Sequence, residues 1–350
     1  MPATKAIADC PFRIGRTPLT PYSVKLGDKV HELLVKEERF NEFGSVKDRV
    51  AWYVLARTLE KTGPARSVID ASSGNYGYAL ACICKRLGIE ATIVSSPSIS
   101  AYNAAGIRDA GARLIIAEAQ PGESSNAARM RVAGEISEKE GQVFLDQYAN
   151  PLNPESHQAW TAPEVFDEGP FDACFVTSSS GGTARGFSDY LKTTGNKTPL
   201  FLVEPAASSA FMDAASPAGE KLRIPGYGSQ RRSSFSGMKP DPNMIRIDEP
   251  STLAAFALLH ERGLAEVGLS STGVMLGALD WLAKQTRSCR VVCICADGDE
   301  RYLEEFESRY VPSVARADYD AARTRLAPVI GGMQRDAAKA KREELRTQGA

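Results

Sequence analysis

Short apolar segments alternate with helical segments along most of this chain, and this alternation constrains its fold more strongly than any other feature. Each apolar segment has three to six residues, which suits a buried strand better than a helix. Parallel strands covered on both faces have this composition, and helices connect them. The pattern therefore predicts an α/β fold with doubly wound parallel sheets. The predicted strands are 32–35, 67–69, 91–94, 113–116, 143–145, 173–176, 200–203 and 290–295.

The segment 40–49 places Lys47 in the first turn of a predicted helix. Ser45 is a good N-cap, and residues 46–59 carry apolar side chains at helical spacing. A cation at this end of a helix costs a few tenths to about 1 kcal/mol, so stability alone favours a carboxylate there. The same field, together with burial, lowers a lysine pKa toward the neutral amine that Schiff-base chemistry requires. A surface lysine beside Asp48 is the simpler interpretation of this segment taken alone.

Two loops have the strand–loop–helix order in which backbone N–H groups converge on an anion. The first, 70–78, precedes a helical run, 79–87, that ends at Gly88 as a predicted C-cap. The second, 174–186, has a run of four hydroxyl residues followed by a glycine pair where a helix begins. Such a loop alone often only turns the chain. Together with Lys47, the two loops predict an amine beside one carboxylate-binding and one phosphate-binding site.

These motifs resemble the cysteine synthase / cystathionine β-synthase family of pyridoxal-phosphate enzymes, which has the tryptophan synthase β type of fold (fold type II). The resemblance runs from Gly15 to Leu303. It implies pyridoxal 5′-phosphate as the cofactor, Lys47 as its Schiff-base lysine, and a homodimer. It also implies that Asn75 touches the 3-hydroxyl oxygen of the cofactor and that Gln147 contacts the substrate carboxylate.

The resemblance assigns further residues to three loops. The substrate-carboxylate loop is Ser72, Ser73, Gly74 and Asn75, followed by Tyr76. The cofactor-phosphate loop is Ser178, Ser179, Ser180, Gly181, Gly182 and Thr183. The active-site glycine loop is Gly226, Tyr227 and Gly228. A fourth segment, 268–273, resembles the "GISSG" motif of the family.

Four positions depart from the family pattern. Tyr76 stands where a threonine or small residue is usual, so the substrate pocket is expected to be reshaped. Thr177 and Ser179 replace glycines of the phosphate loop, which adds hydroxyl donors. Gly298 occupies the place of the serine or threonine that faces the pyridine nitrogen. Three alternatives are open at this position: a neighbouring aspartate contacts the nitrogen, a water bridges to it, or the nitrogen stays unprotonated.

The segment 224–233 places Arg231 and Arg232 beside the glycine loop, where they suit an additional anion. A solvated loop is the simpler interpretation. The segment resembles sulfide-using cysteine synthases less than the enzymes that join O-phospho-L-serine to the amine of L-glutamate, in pathways of secondary metabolism to 2,3-diaminopropionate. His157 follows Asn150 and Pro151 in a stretch that resembles the family, and is expected near the cleft.

The composition argues against several classes of partner. With 42 basic and 43 acidic residues, the net charge of −1 gives no general attraction to nucleic acid or membranes. Seven cysteines lie mostly in apolar runs and are expected to be reduced and buried, and no histidine accompanies them as in a metal site. We find no export signal or transmembrane-length apolar run, so a cytoplasmic location is expected.

A chain of 350 residues is long enough for two lobes. We expect a larger cofactor-phosphate lobe, 1–45 plus 150–312, and a smaller mobile lobe, 46–149, which carries Lys47 and the substrate-carboxylate loop. The tail, 313–350, is rich in Ala, Arg, Lys and Glu. It is expected to be an exposed helix, packed on a partner subunit or frayed.

These features predict β-replacement on an O-activated L-serine, either O-phosphoserine or O-acetylserine, through an aminoacrylate intermediate, with Lys47 as general base. The amine of L-glutamate is one candidate nucleophile. The alternatives are a cysteine or cystathionine synthase that uses sulfide or a thiol, and a serine/threonine dehydratase. A non-catalytic binding protein of the same fold is a further alternative, for which Gly298 is the main support.

Overall fold

Strands and helices alternate in the computed structural model of the chain, which describes residues 3–211, 222–238 and 243–337. The strands are β1 Leu19–Leu26, β2 Lys29–Glu37, β3 Ser67–Ala71, β4 Glu90–Ser95, β5 Arg113–Ile116, β6 Val143–Phe144, β7 Ala173–Val176, β8 Leu200–Glu204, β9 Asn243–Arg246, β10 Arg290–Cys295 and β11 Met333–Arg335. The helices are α1 Ala3–Ala8, α2 Lys47–Thr62, α3 Asn75–Leu87, α4 Ala101–Asp109, α5 Ser125–Glu140, α6 Leu152–Ser156, α7 Ala162–Phe166, α8 Gly182–Thr194, α9 Glu249–Glu261, α10 Leu269–Leu282, α11 Leu303–Glu305 and α12 Arg316–Gly331. Two π-helical turns, His157–Thr161 and Phe306–Tyr310, connect some of them.

The strands form a seven-stranded sheet in the order β11-β1-β2-β10-β7-β8-β9 and a four-stranded sheet in the order β5-β4-β3-β6. All pairings in the smaller sheet are parallel. In the larger sheet, the strands from β2 to β9 pair in parallel, whereas β1 is antiparallel to both β2 and β11. The predicted fold class is confirmed, and the antiparallel edge is an addition to it.

All eight predicted strands are present, but the prediction lacks β1, β9 and β11. β1 contains Pro21, a residue that is uncommon inside a sheet. It is accommodated because β11 pairs only with Tyr22–Val24 of this strand. β9 and β11 have four and three residues that are mostly exposed or half-buried, so no apolar run marks them.

The tail is more ordered than the sequence predicts. α12 packs against α9 and buries Tyr319, Ala322 and Ile330, while β11 extends the edge of the larger sheet. The predicted helix is therefore present in the first part of the tail, but one of its faces is buried against α9 and is not exposed. Its Ala- and Arg-rich composition conceals three apolar side chains at helical spacing, which form one face. Residues 338–350 lie outside the described residues.

Each predicted lobe contains one sheet. Every strand of the smaller sheet lies within 46–149, and every strand of the larger sheet lies outside that range. We propose these boundaries as those of the two lobes. The loops after β3, β7 and β10 all start at the carboxyl ends of parallel strands, which is where α/β sheets bind ligands.

The helix α2 is attached to the larger sheet by a buried ion-pair cluster. The Arg49 guanidinium donates to both oxygens of Glu38, from Nε at 2.6 Å and from Nη2 at 2.8 Å. It also donates to both oxygens of Glu164, from Nη1 at 2.8 Å and from Nη2 at 2.7 Å. Lys36 completes the cluster, with Nζ 2.9 Å from Glu164. Two cations and two carboxylates thus neutralise one another around Arg49, which lies two residues after Lys47 in α2.

Candidate active site

A cavity of about 670 Å³ lies where loops from both sheets meet. Its wall includes Lys47 at the start of α2, the loop after β3, the loop between β7 and α8, and the segment after β10. The two anion-binding loops predicted from sequence therefore face the same space as the predicted reactive lysine.

Lys47 is the first residue of α2, as predicted, and its side chain lies in the cavity wall. The N–H of Val46 donates to the carbonyl of Ala296 at 2.8 Å, and Ser45 forms a β-bridge with Asp297, so this turn is attached to the end of β10. Ser45 Oγ accepts the N–H of Lys47 at 3.2 Å. Burial lowers the pKa of Lys47 to about 8, and the nearby Asp297 carboxylate opposes this shift.

Asp48 does not pair with Lys47. Its carboxylate is buried and accepts the N–H of Phe43 at 2.6 Å and the hydroxyl of Ser45 at 3.1 Å. Burial raises the pKa of Asp48 to about 7. The interpretation of Lys47 as a surface lysine beside a carboxylate is therefore wrong, because the chain turns Asp48 back toward residues 43–45.

The predicted phosphate loop leads into the N-terminus of α8, where the helix dipole favours an anion. Gly181 has φ +90°, and a side chain there would collide with Ser233. The loop is held by neighbours, since Ser178 Oγ donates to the buried Glu204 at 2.5 Å and Asn153 Nδ2 contacts Ser180 Oγ at 3.4 Å. The hydroxyl of Ser178 is thus already engaged, so this residue can offer an anion only its main chain.

The predicted substrate-carboxylate loop also lines the cavity, and Gln147 is held against the end of the strand that precedes it. Gln147 Nε2 donates to the carbonyl of Ala71 at 2.8 Å, and its N–H donates to Asp70 at 3.2 Å. Asp70 also accepts the N–H of Ala71 at 2.7 Å, and burial raises its pKa to about 7. Tyr76 reaches the cavity wall but is otherwise part of the buried core beside the smaller sheet.

The wall contains the following predicted site residues: Lys47, Ser72, Ser73, Gly74, Asn75, Tyr76, Gln147, Ser178, Ser179, Ser180, Gly181, Thr183, Gly226 and Gly228. Five predicted residues are not among those that form it: Gly182, Tyr227, Arg231, Arg232 and Gly298. Gly182 packs against Asn153, and Tyr227 packs on Gly273 with its hydroxyl directed to the carbonyl of Ile247 at 3.3 Å. Gly298 faces the Glu300 carboxylate, which occupies the space that a side chain at 298 would need.

Arg231 and Arg232 line a smaller recess that adjoins the cavity rather than the cavity itself. Arg129 of α5 lines both spaces and is 8% exposed. Its Nη1 donates to Ser73 Oγ, and Nη2 donates to Asn126 at 2.9 Å. No motif surrounds Arg129 in the sequence, so nothing in the sequence marked it for the site.

His157 lies beneath the phosphate loop, as expected for a residue near the cleft. It is fully buried, with Nδ1 3.0 Å from Thr161 Oγ1 and Nε2 3.3 Å from Thr183 Oγ1. Burial first, and then the nearby Lys47 and Arg49 charges, hold the pKa of His157 well below its usual value. A neutral imidazole therefore supports the hydroxyl of Thr183 at the start of α8.

These residues suit pyridoxal phosphate. The cavity wall offers both an amine of lowered pKa and a glycine-containing loop at a helix N-terminus that can receive a phosphate. Thr177 Oγ1, beside this loop, is buried without a hydrogen-bond partner among the described residues. An anion that accepts from this hydroxyl would satisfy it.

Comparison with known proteins agrees with this description. A family model described as pyridoxal-phosphate dependent enzyme matches residues 11–297. The chain is similar to N-(2-amino-2-carboxyethyl)-L-glutamate synthases. It is 30% identical to that of Ralstonia nicotianae over 336 residues, which cover 93% of this chain and 96% of that protein. It is 32% identical to that of Cupriavidus metallidurans over 302 residues, which cover 83% of this chain and 87% of that protein. The crystal structure of the Entamoeba histolytica cysteine synthase superposes with a TM-score of 0.75 at 24% identity, covering 89% of this chain and 94% of that one.

The two-sheet fold, the cavity lysine and the glycine-containing loop at the start of α8 define a fold type II pyridoxal-phosphate enzyme. The chain belongs to the pyridoxal-phosphate-dependent enzyme family. The resemblance to cysteine synthases is thereby confirmed, as are the cofactor and the class of β-substituting transferase.

No helix within the described residues combines the length and apolar character needed to cross a membrane. Nor do these residues bring together three or more His, Cys, Asp or Glu side chains that could hold a metal ion.

Proposed function

We propose that the enzyme performs β-replacement on an O-activated L-serine. The substrate that its site favours is O-phospho-L-serine. The nucleophile is the amine of an amino acid such as L-glutamate. The observation that carries the choice of leaving group is the arginine-rich recess beside the cavity. The names of two similar synthases, those of Ralstonia nicotianae and Cupriavidus metallidurans, support the choice of nucleophile.

The cofactor, when bound, supplies an aldehyde and an electron sink for carbanion chemistry at the amino-acid Cα. Lys47 is the residue that holds the cofactor and moves the proton at Cα, because burial lowers the pKa of its amine to about 8 and makes the neutral form accessible near physiological pH. Ser72, Ser73, Asn75 and Gln147 bind and orient the substrate carboxylate. Closure of the smaller lobe over that carboxylate excludes water from the site.

The recess offers positive charge where the leaving group would lie. Arg129, Arg231 and Arg232 line it together with asparagine, tyrosine and serine side chains, and no carboxylate is among the described residues that line it. Guanidinium groups pair with phosphate through two parallel hydrogen bonds. A phosphate therefore gains more from this recess than an uncharged acetyl group does.

The Arg129→Met variant is expected to lose about 100-fold in kcat/KM for O-phosphoserine, because a charge-assisted hydrogen bond in a buried site contributes about 2–3 kcal/mol. With O-acetylserine as the substrate, kcat/KM of this variant should differ by less than about threefold from that of a matched control variant, Arg309→Met. Arg309 also lines the cavity but donates to the Ser98 carbonyl at 2.7 Å. Equal losses for both substrates would contradict the assignment of the recess to phosphate, since Arg129 also holds Ser73.

Capture of pyridoxal phosphate by the apo-enzyme is expected to depend on the protonation of Lys47. Only the neutral amine attacks the aldehyde, and the pKa of this amine is lowered from 10.5 to about 8. The capture rate, followed by stopped-flow absorbance, should thus rise about tenfold per pH unit below pH 8 and level off above it. Asp297→Asn removes a charge that raises this pKa, so its midpoint should fall. A wild-type rate that still climbs tenfold per unit up to pH 10 would be inconsistent with a depressed pKa.

The nucleophile is identified by incubating the enzyme with O-phosphoserine and, in separate reactions, L-glutamate, sulfide or homocysteine, with products followed by mass spectrometry. A coupled product with glutamate alone is the expected result. Keto acid formed at the same rate in every reaction would indicate a dehydratase instead. Light scattering of the purified enzyme tests the homodimer that the family resemblance implies.

A further inference from the structure

We propose that Asp297 and Arg301 are positioning residues that fix the side-chain amide of Asn75, so that this amide presents an N–H and not its carbonyl to the cavity. The inference rests on the proposed binding of the cofactor in this cavity. It concerns two side chains that the sequence analysis did not assign to the site.

Asn75 is held from both sides by one segment of the larger sheet's lobe. Its Nδ2 donates to Asp297 Oδ2 at 2.6 Å, and its Oδ1 accepts from Arg301 Nη1 at 3.1 Å. All three residues line the cavity. Asn75 begins α3 beside the smaller sheet, whereas the other two follow β10, so these contacts also connect the two sheets.

The chemistry of Arg301 determines which way the amide faces. A guanidinium has only donors, so the atom of Asn75 beside it must be the carbonyl oxygen. The amide nitrogen then lies on the side of Asp297 and gives one of its two hydrogens to that carboxylate. The second hydrogen remains for a ligand in the cavity, which therefore meets a donor at this position.

Both positioning residues are themselves fixed. Arg301 is 3% exposed, donates from Nη2 to the Phe43 carbonyl at 2.6 Å, and packs its guanidinium over the rings of Tyr78 and Tyr102, 5.2 and 4.9 Å from their centres. Asp297 is 2% exposed and accepts the hydroxyl of Tyr302 at 2.6 Å. Neither side chain can turn without breaking these contacts, so the orientation of Asn75 is set before any ligand binds.

A fixed donor suits an anionic oxygen, and the phenolic oxygen of pyridoxal phosphate is such an acceptor. The same two residues would then act on the cofactor without touching it, through Asn75. Their effect should appear in cofactor affinity and in the absorption spectrum of the bound cofactor, which responds to a donor at the phenolic oxygen.

A double-mutant cycle on Asn75→Ala and Arg301→Lys tests this coupling. The dissociation constant for pyridoxal phosphate, from titration of the apo-enzyme, is expected to rise about tenfold in each single variant. In the double variant it should rise no further than in Asn75→Ala alone, because Arg301 acts through Asn75. Losses that multiply in the double variant would overturn the inference. If the wild-type enzyme fails to bind the cofactor, the proposed function fails instead.

A second pair of variants keeps the test valid if Arg301→Lys does not fold. Asn75→Asp combined with Asp297→Asn preserves the hydrogen bond between the two positions, the acceptor for Arg301 and the net charge. It also exchanges the donor facing the cavity for an acceptor. We expect this double variant to unfold within a few degrees of the wild type, yet to bind the cofactor at least about tenfold more weakly with a shifted absorption band. A wild-type affinity and spectrum would show that only the connection between the sheets matters.

Discussion

The Lys47→Ala variant is expected to lose turnover by more than about 10³-fold and to lose the visible absorption band of covalently bound cofactor. The proposed chemistry needs one amine for both tasks, since it attaches the cofactor and moves the proton at Cα. Lys47 is the lysine in the cavity wall, and among the described residues its Nζ makes no hydrogen bond that would keep it charged. Absorbance and steady-state kinetics measure the two losses.

Lys36→Met is the matched control for this variant. Lys36 is also buried, but its Nζ is occupied by Glu164 and, at 2.6 Å, by the carbonyl of Thr17. It should lower stability while leaving the absorption band intact. Retention of the band and of turnover in Lys47→Ala, or their loss in the control with the fold intact, would remove Lys47 from the proposed role.

The Arg49→Met variant is expected to lose about 3–5 kcal/mol of unfolding free energy. This is the largest stability effect that we expect from a single substitution of a buried residue. Arg49 is 0% exposed, and its removal leaves Glu38 and Glu164 facing each other with only Lys36 as a counter-charge. Burial works against the charged form of Glu164, but Arg49 and Lys36 hold its pKa below the usual value. Urea unfolding followed by circular dichroism measures the loss.

Arg113→Met is the corresponding control at the surface. Arg113 contacts Glu140 at 2.8 Å, but its side chain is 53% exposed, so water can replace the partner. Its loss should be below about 1 kcal/mol. Similar losses of unfolding free energy in the two variants would mean that burial does not strengthen the ion pairs of Arg49. A selective loss from Arg49→Met would show that the start of α2 depends on this cluster.

The local chemistry of the site could be predicted from the sequence because it follows from neighbours in the chain. Lys47 at the start of α2 and the glycine loop before α8 are both recognisable from spacing and residue type. The strand–helix alternation predicted the fold class for the same reason. The assignment of Gly298 stays a prediction. The cavity wall passes through Asp297, and the Glu300 carboxylate fills the space beside Gly298, a placement that only the folded chain shows.

The supporting residues could not be predicted, since each acts on a partner far away in the chain. Arg129 joins the site through Ser73, and Arg301 joins it through Asn75, 226 positions earlier. Glu164 approaches Arg49 from 115 positions away. Such contacts carry no local pattern of spacing or composition.

Hydrophobic periodicity and a few loop residues were enough to specify the α/β architecture, the lysine at the start of α2 and the two loops that line the cavity, because those properties depend on segments of ten to twenty residues. The direction in which Asn75 presents its amide, the lowered pKa of the Lys47 amine and the adjoining arginine recess depend on which side chains are brought together and buried. Burial and hydrogen-bond partners are properties of the folded chain, so only the tertiary structure decides them.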